Sequence, residues 1–531
     1  MRSVIVGFLL VCASTLACGE LFTALTHMRG LIRLEKTLQR KLVEYLNLNP
    51  RASEDLRITM EEVKQHTKNI RGDVEKFLGH PVNAYMLIRR FIKNWKDVEE
   101  YLEKHDDQED LLALLRLHKV DFPTSKDMLG CVQAIQRIQD VYNITAKRIA
   151  SGHLSDITST PPMSADSCFE IGYAHHRWEK HEEARQWMEE SLRRLDPPFR
   201  YRGSLQKQDI LEFIAWSEYM TEREDLALAH TSELLQLDPN NDFAARNLEF
   251  FLQEYQAKAN GSTKKPNIFK KPPPPREHFM EAYERLCRGI SYRSNEEAAK
   301  LRCYYDFTRH PMFRIRPLKV EELHSDPPIW MLRDVMYDSE IEYIKRTATP
   351  KLRRATVTNL KTGELEFADY RISKSGWLED PRDDNEEKIL NRVNRRTSII
   401  TGLDTTPRSA EALQIVNYGA AGHYEPHFDH ATEAVSSILK LGIGNRIATV
   451  LYYMSDVEAG GATVFVDAEA IVKPSKGDAA FWYNLHKNGK GDERTRHAAC
   501  PIIVGSKWVC NKWIHEHGQE FRRPCGLSIE E

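Results

Sequence analysis

The triplet His427-Phe428-Asp429 sets an imidazole and a carboxylate two residues apart. On an extended segment, side chains two apart project to the same side, so both polar groups can meet one ion while Phe428 and His430 face away. His497 follows in Thr495-Arg496-His497-Ala498-Ala499-Cys500-Pro501, ahead of a short apolar run. Two imidazoles and one carboxylate make a facial triad, which leaves cis positions open on Fe(II) for a bidentate 2-oxo acid and O2. His-x-Asp alone is a weak signal. Lys507, ten residues beyond His497 and between apolar Val504 and Trp508, strengthens it. Its ammonium is a point charge on a long stem, suited to the far carboxylate of 2-oxoglutarate in a dry pocket.

Strands must carry these groups. From about residue 325, short β-type runs alternate with turn signals: Leu413 to Tyr418, Ile447 to Tyr453, Thr463 to Val466, Ala479 to Tyr483 and Ile502 to Val504. Several short strands with Gly-rich turns predict an antiparallel double sheet or jelly roll.

The rest of the chain reads as helix. Leu25, Met28, Leu31, Ile32, Leu38, Leu42 and Leu46 recur at helical steps, and Leu56, Met60, Val63, Ile70, Val74 and Phe77 form a second pattern stopped near Gly79 and Pro81. Glu35 and Lys41 intrude on the first seam, so it suits either a bundle member or an intermolecular coiled coil. Ile171-Gly172 and Ile214-Ala215 each precede an alanine (Ala184, Ala227) by the same twelve-residue step, with Asp-Pro pairs at 196 and 238. Small residues at those offsets let paired helices pack closely, which is tetratricopeptide logic. Phe213, Trp216 and Tyr219 share one helix face, with Phe250 and Phe251 in the next helix. They suit either a core or a platform for proline rings of an extended peptide.

The expected organisation is a signal peptide at 1–19, a helical dimerisation domain at 20–155, a tetratricopeptide-like peptide-binding domain at 160–256, a Pro-rich linker and connector at 257–325, and a catalytic domain at 326–531. The fold class is therefore multi-domain α+β, with N-terminal helices and a C-terminal double-stranded β-helix. Met1-Arg2-Ser3, the apolar run Val4 to Val11 and the small residues through Gly19 have secretory form, with cleavage between Ala17 and Glu20. Sequons at Asn143 and Asn260 fit a lumenal chain, as do cysteines at 131, 168, 287, 303, 500, 510 and 525. The last residues hold no retrieval tetrapeptide, so retention in the endoplasmic reticulum needs a partner. Over 531 residues the net charge is −3, which gives no electrostatic footprint for nucleic acid. A mean hydropathy of −0.54, with one apolar run only, excludes a polytopic membrane protein.

The stretch Tyr418 to Arg523 resembles the α subunit of animal collagen prolyl 4-hydroxylase. Matching blocks are Tyr424-Glu425-Pro426-His427-Phe428-Asp429, Gly444-Asn445-Arg446-Ile447-Ala448-Thr449, Tyr453-Met454-Ser455-Asp456, Gly460-Gly461-Ala462-Thr463-Val464-Phe465, Phe481-Trp482-Tyr483-Asn484-Leu485, the His497 block and Gly518 to Cys525. The helical layout follows the family as well. The resemblance implies His427, Asp429 and His497 as iron ligands, Lys507 as anchor of the 2-oxoglutarate C5 carboxylate with Tyr418 and Thr449 as hydroxyl partners, and His515 as an aid to cosubstrate binding. It implies disulfides Cys287–Cys303 and Cys500–Cys525, and it fits Phe213, Trp216, Tyr219 and Phe250 as the lining of the peptide groove; Cys510 is expected to be buried and inert. His515-Glu516-His517 lacks the four-residue spacing of a helical zinc site. Ala421, His430, Val450 and Cys510 depart from the family pattern, as do Phe213 and Trp216, where tyrosines are usual. The implied activity is hydroxylation of proline at C4 in X-Pro-Gly sequences with Fe(II), 2-oxoglutarate, O2 and ascorbate. The implied partner is protein disulfide isomerase in an α2β2 tetramer in the endoplasmic reticulum lumen. An oxygenase of another lumenal protein and a non-catalytic peptide-binding subunit are the alternatives.

Overall fold

A computed structural model describes residues 25–526 and 528, apart from 69, 71–72, 106–108, 158–159, 196–204, 261–276, 359–364, 380–387 and 433–435. The signal segment, the Asp-Pro pair at 196 and most of the Pro-rich linker lie outside the described residues.

The first apolar stripe forms the helix Leu25–Leu48. Met28, Leu31, Ile32, Leu38, Leu42 and Leu46 are buried against helices of the same chain, so the stripe is a bundle face. Glu35 is buried with it. Its carboxylate takes Arg90 Nε at 2.8 Å and Nη2 at 2.7 Å, and Trp95 Nε1 at 3.3 Å. A buried charge is tolerated only when paired in this way.

The second pattern is two helices, Glu54–Lys68 and Val74–Leu78. Asp73 starts the shorter one by accepting from the Glu75 and Lys76 amides. Pro81 does not stop a helix but opens one, Pro81–Ile92, behind the cap His80. Proline suits that first position because its missing N–H would have no partner there. The bundle continues through Asn94–His105, Glu109–Leu117 and Ser125–Tyr142.

Two antiparallel pairs follow, Ala165–Arg177 with His181–Arg193 and Lys207–Met220 with Glu224–Leu237, then the flanking helix Asp242–Ala259. Ala184 and Ala227 are fully buried. A Cβ on Gly172 would stand 3.1 Å from Trp187 Cβ, so the first pair closes at that glycine.

The C-terminal part is two facing antiparallel sheets. The larger runs Cys303–Asp306, Leu318–Ser325, Pro328–Arg333, Ala479–Tyr483, Arg446–Tyr453, Lys507–His515, Leu413–Tyr418, Lys374–Leu378 and Arg353–Arg354 in spatial order. The smaller runs Ala470–Val472, Thr463–Phe465, His497–Ala499, His423–His427 and Arg371–Ile372. The large sheet thus begins within the expected connector, since Lys319 pairs with Arg333 across residue 326. Alternation sorts the faces. Leu413 and Ile415 pack outward against the helices Asp338–Ala348 and Lys388–Thr401, while Val416 and Tyr418 point between the sheets.

The cysteine pairing differs from both expected bridges. The disulfide joins Cys287 to Cys500, with Cα atoms 5.6 Å apart. The helix His278–Cys287 lies on the small sheet, where Tyr283, Leu286, Ala462, Val464 and Ala498 enclose both sulfurs. Cys303 begins an edge strand and Cys525 lies in the C-terminal loop; both are exposed and free. Cys131, Cys168 and Cys510 are buried and outside any disulfide, and burial pushes Cys510 up to about 12.

Candidate active site

His427 and His497 are register partners on neighbouring strands of the small sheet. His427 Nδ1 lies 2.8 Å from the Glu425 carbonyl and His497 Nδ1 3.0 Å from the Thr495 carbonyl. A carbonyl only accepts, so each Nδ1 carries the proton and each Nε2 keeps its lone pair. Those Nε2 atoms turn to Asp429, at 3.9 Å from Oδ1 for His427 and 3.6 Å from Oδ2 for His497. The three ligating atoms lie within 4.8 Å of one another, the one such group among the described residues. Two neutral imidazoles and one carboxylate fit Fe(II).

Electrostatics favour that charge pattern. Burial, then the neighbouring His497, pull His427 down to about 3. Burial favours a neutral Asp429, but His497, His427 and Arg446 outweigh it and hold the carboxyl at about 2. Tyr424 stacks on His427 at 3.6 Å between ring centroids, and Trp482 meets the His497 ring edge-on at 4.8 Å. The rings are thereby fixed before any ion arrives.

Lys507 opens its strand opposite Tyr418. It shares the inward face with Val509, Asn511 and Trp513, and it lines the same cavity of about 490 Å³ as the His-Asp-His group. Only 1% of Lys507 is exposed, and burial lowers its ammonium to about 7. Its Nζ donates to Thr463 Oγ1 at 3.1 Å, which also accepts from Tyr453 OH at 2.9 Å. Tyr418 lies close by, with its ring centroid 5.7 Å from Nζ.

Thr449, the expected second hydroxyl partner, sits elsewhere. Its Oγ1 donates to Asp429 Oδ2 at 2.8 Å and accepts from Asn484 Nδ2 at 2.9 Å, away from the cavity wall. The hydroxyl beside Lys507 belongs to Thr463, in the block Gly460-Gly461-Ala462-Thr463, and sequence reasoning passed over it. His515 is also off the wall. Its Nδ1 faces the Gly444 carbonyl at 2.8 Å and its Nε2 faces Glu411 at 2.9 Å. Glu411 grips Arg446, at 2.6 Å from Nε, and Arg446 lies 3.7 Å over the Trp513 ring in the cavity. His515 therefore reaches the cavity through two intermediaries.

Three family models match the chain in order. They are the prolyl 4-hydroxylase alpha-subunit N-terminal region at residues 24–156, the prolyl 4-hydroxylase peptide-substrate-binding domain at 165–256, and the 2OG-Fe(II) oxygenase superfamily at 413–515. Prolyl 4-hydroxylase subunit alpha-1 of Homo sapiens is 39% identical over 99% of this chain and 98% of its own length. The chain belongs to the prolyl 4-hydroxylase α-subunit family. Subunit alpha-1 of Bos taurus is 40% identical over the same shares, and subunit alpha-2 of Caenorhabditis elegans 39% over 98% of this chain and 96% of its own.

Within the family's peptide-binding domain, the aromatic residues divide into two groups. Phe213 joins Tyr173 and Phe169 of the preceding pair, at 5.2 and 5.8 Å. Trp216 joins Tyr219 at 5.9 Å, and Tyr219 packs on Phe250 at 5.2 Å and Phe251 at 4.8 Å. Phe251 and Tyr219 are buried core, whereas Phe213, Trp216 and Phe250 are half-buried and keep one face toward solvent. The core reading thus holds for Tyr219 and Phe251. Asn143 and Asn260 are exposed at helix ends.

Proposed function

We propose that this chain hydroxylates proline at C4 in X-Pro-Gly sequences of procollagen-like chains, coupled to conversion of 2-oxoglutarate to succinate. One observation carries the reading: the His427, Asp429 and His497 group and the buried Lys507 face one cavity from opposite sheets. Together with 2-oxoglutarate and O2, Fe(II) supplies the oxidising power that inserts oxygen into a C–H bond.

The chain's own residues do the rest. His427, Asp429 and His497 hold the ion, each histidine fixed through its Nδ1–H. Lys507 and Thr463, with Tyr418 beside them, receive the C5 carboxylate. Phe213, Trp216 and Phe250 offer flat apolar faces to the rings of a polyproline II chain, which presents such rings without further loss of entropy. Ascorbate serves as reductant. Protein disulfide isomerase is the proposed partner in an α2β2 assembly, retained with it in the endoplasmic reticulum lumen. The secretory leader, the sequons and a disulfide inside the catalytic half support that compartment.

The test is turnover of (Pro-Pro-Gly) repeats by the chain co-expressed with protein disulfide isomerase, given Fe(II), 2-oxoglutarate and ascorbate. Mass spectrometry should find one oxygen added at proline, and none with His427→Ala. Succinate without peptide modification would overturn the substrate.

A further inference from the structure

The N-terminal helical bundle does not stop at its own boundary. Val504 and Ile372, both of the C-terminal half, are buried inside the bundle's own apolar cluster, and Ile503 packs against it. Ala421 is fully buried on Ala134 and Ile138 of the helix Ser125–Tyr142. Polar contacts tie the same places. Tyr142 OH donates to the Pro501 carbonyl at 2.6 Å, Arg137 Nη1 to the Ala421 carbonyl at 3.0 Å, and the Gly505 amide to the Gly79 carbonyl at 3.0 Å.

Apart from Ile372, on the strand Arg371–Ile372, these contacts fall on two connecting segments. One leaves the strand that ends at Tyr418; the other enters the strand that begins at Lys507. The loops also bond each other, Ala421 N to Ile502 O at 3.0 Å and Ile502 N to Gly422 O at 3.2 Å. Tyr418 and Lys507 are themselves register partners. The bundle thus holds the common root of both residues, at Ala421 three positions from Tyr418 and at Gly505 two from Lys507, with Tyr142 gripping farther back at Pro501.

The grip is tight at one point. A Cβ on Gly79 would stand 2.9 Å from Gly505 Cα, so the two backbones touch where any other residue would part them. Gly79 sits between the helices Val74–Leu78 and Pro81–Ile92, which fix its position.

Resting on the reading of Lys507 and Tyr418 as cosubstrate anchors, we propose that the N-terminal helical bundle is a working part of the 2-oxoglutarate site, with Gly79, Arg137 and Tyr142 as positioning residues for Lys507 and Tyr418. A lysine in an apolar cavity must be placed closely to meet a carboxylate, and such placement is supplied by the layer behind it. This role is separate from assembly of the bundle with another chain.

The experiment measures 2-oxoglutarate binding by calorimetry on the full chain loaded with Co(II), alongside KM and kcat with Fe(II). Tyr142→Phe removes one hydroxyl, and Gly79→Ala forces the loops apart. Each should raise the 2-oxoglutarate dissociation constant and KM about fivefold, the effect of one hydrogen bond, with kcat at saturation and Co(II) affinity unchanged. Leu102→Ala, a core cavity in the helix Asn94–His105, should lower the melting temperature without moving either constant. Unchanged 2-oxoglutarate affinity in both clamp variants, or an equal loss in Leu102→Ala, overturns the inference alone. A wild-type chain that binds Co(II) but no 2-oxoglutarate overturns the anchor reading and this inference with it.

Discussion

Thr449 gives its single hydroxyl proton to Asp429, 2.8 Å away, because Asn484 already donates to the Thr449 oxygen from 2.9 Å. The order of donors runs one way, from amide to hydroxyl to carboxylate. Asp429 Oδ2 is thereby fixed facing His497 Nε2, while Oδ1 faces His427 Nε2.

Breaking that chain should weaken metal binding. Thr449→Val keeps the shape and removes the donor, and its Fe(II) or Co(II) affinity should fall roughly tenfold, at the lower end of losses behind metal ligands. Thr449→Ser should restore it. Equilibrium dialysis of the full chain checks both; equal affinity in Val and Ser variants would show that the hydroxyl does nothing for the carboxylate.

Lys507 predicts a pH dependence of cosubstrate affinity. With its ammonium lowered to about 7 by burial, the free chain loses that charge as pH rises through neutrality. Binding a carboxylate then requires uptake of a proton, so KM for 2-oxoglutarate should rise with pH above about 7, by at most about tenfold per unit. Folding responds in the opposite sense. An unfolded lysine titrates near 10.4, so the cost of burying this charge is full below about pH 7 and fades toward that value. Lys507→Met should flatten the KM profile; a flat profile in the wild type would rule out the lysine as anchor.

The aromatic residues of the peptide-binding domain should separate by readout. Trp216→Ala should raise KM for long proline-rich peptides about tenfold, as for an interface anchor, and leave a short tripeptide untouched. Phe251→Ala should instead lower stability by about 3 kcal/mol or more, since it empties a buried site. Peptide titration and thermal melts distinguish them.

Peptide mapping under non-reducing conditions should find Cys287 joined to Cys500, with Cys303 and Cys525 open to alkylation. The bridge spans 213 residues, for which chain entropy sets a ceiling of about 5 kcal/mol. Cys287→Ser should cost a large share of that in melts, whereas Cys303→Ser should cost nothing measurable. Recovery of a Cys287–Cys303 peptide would reverse the assignment.

Local spacing made much of the site legible. His427 and Asp429 two apart, and Lys507 on an apolar strand behind His497, are short-range patterns that a strand converts directly into a shared face. What escaped depends on contacts between distant segments. Cys303 stands sixteen residues from Cys287 and looks the natural partner, but the helix between the linker and Cys287 lies on the small sheet and faces Cys500 instead. Thr449 and Thr463 are both threonines in Gly-rich blocks, and only the pairing of strands decides which one meets Asp429 and which meets Lys507. The stop near Gly79 and Pro81 was also legible, since the helix ends at Leu78; that the proline opens a further helix behind the His80 cap was not.

The pair Glu35–Arg90 has a consequence for how the first helix is seated. A stripe of leucines at even steps is nearly self-similar, so sliding the helix by one turn would still set leucine against leucine. It would also carry a carboxylate away from its guanidinium and leave both charges dry, at several kcal/mol for each ion. One acidic residue in an oily stripe thus acts as a key with a single notch, and the helix that opens the fold has one address along the bundle.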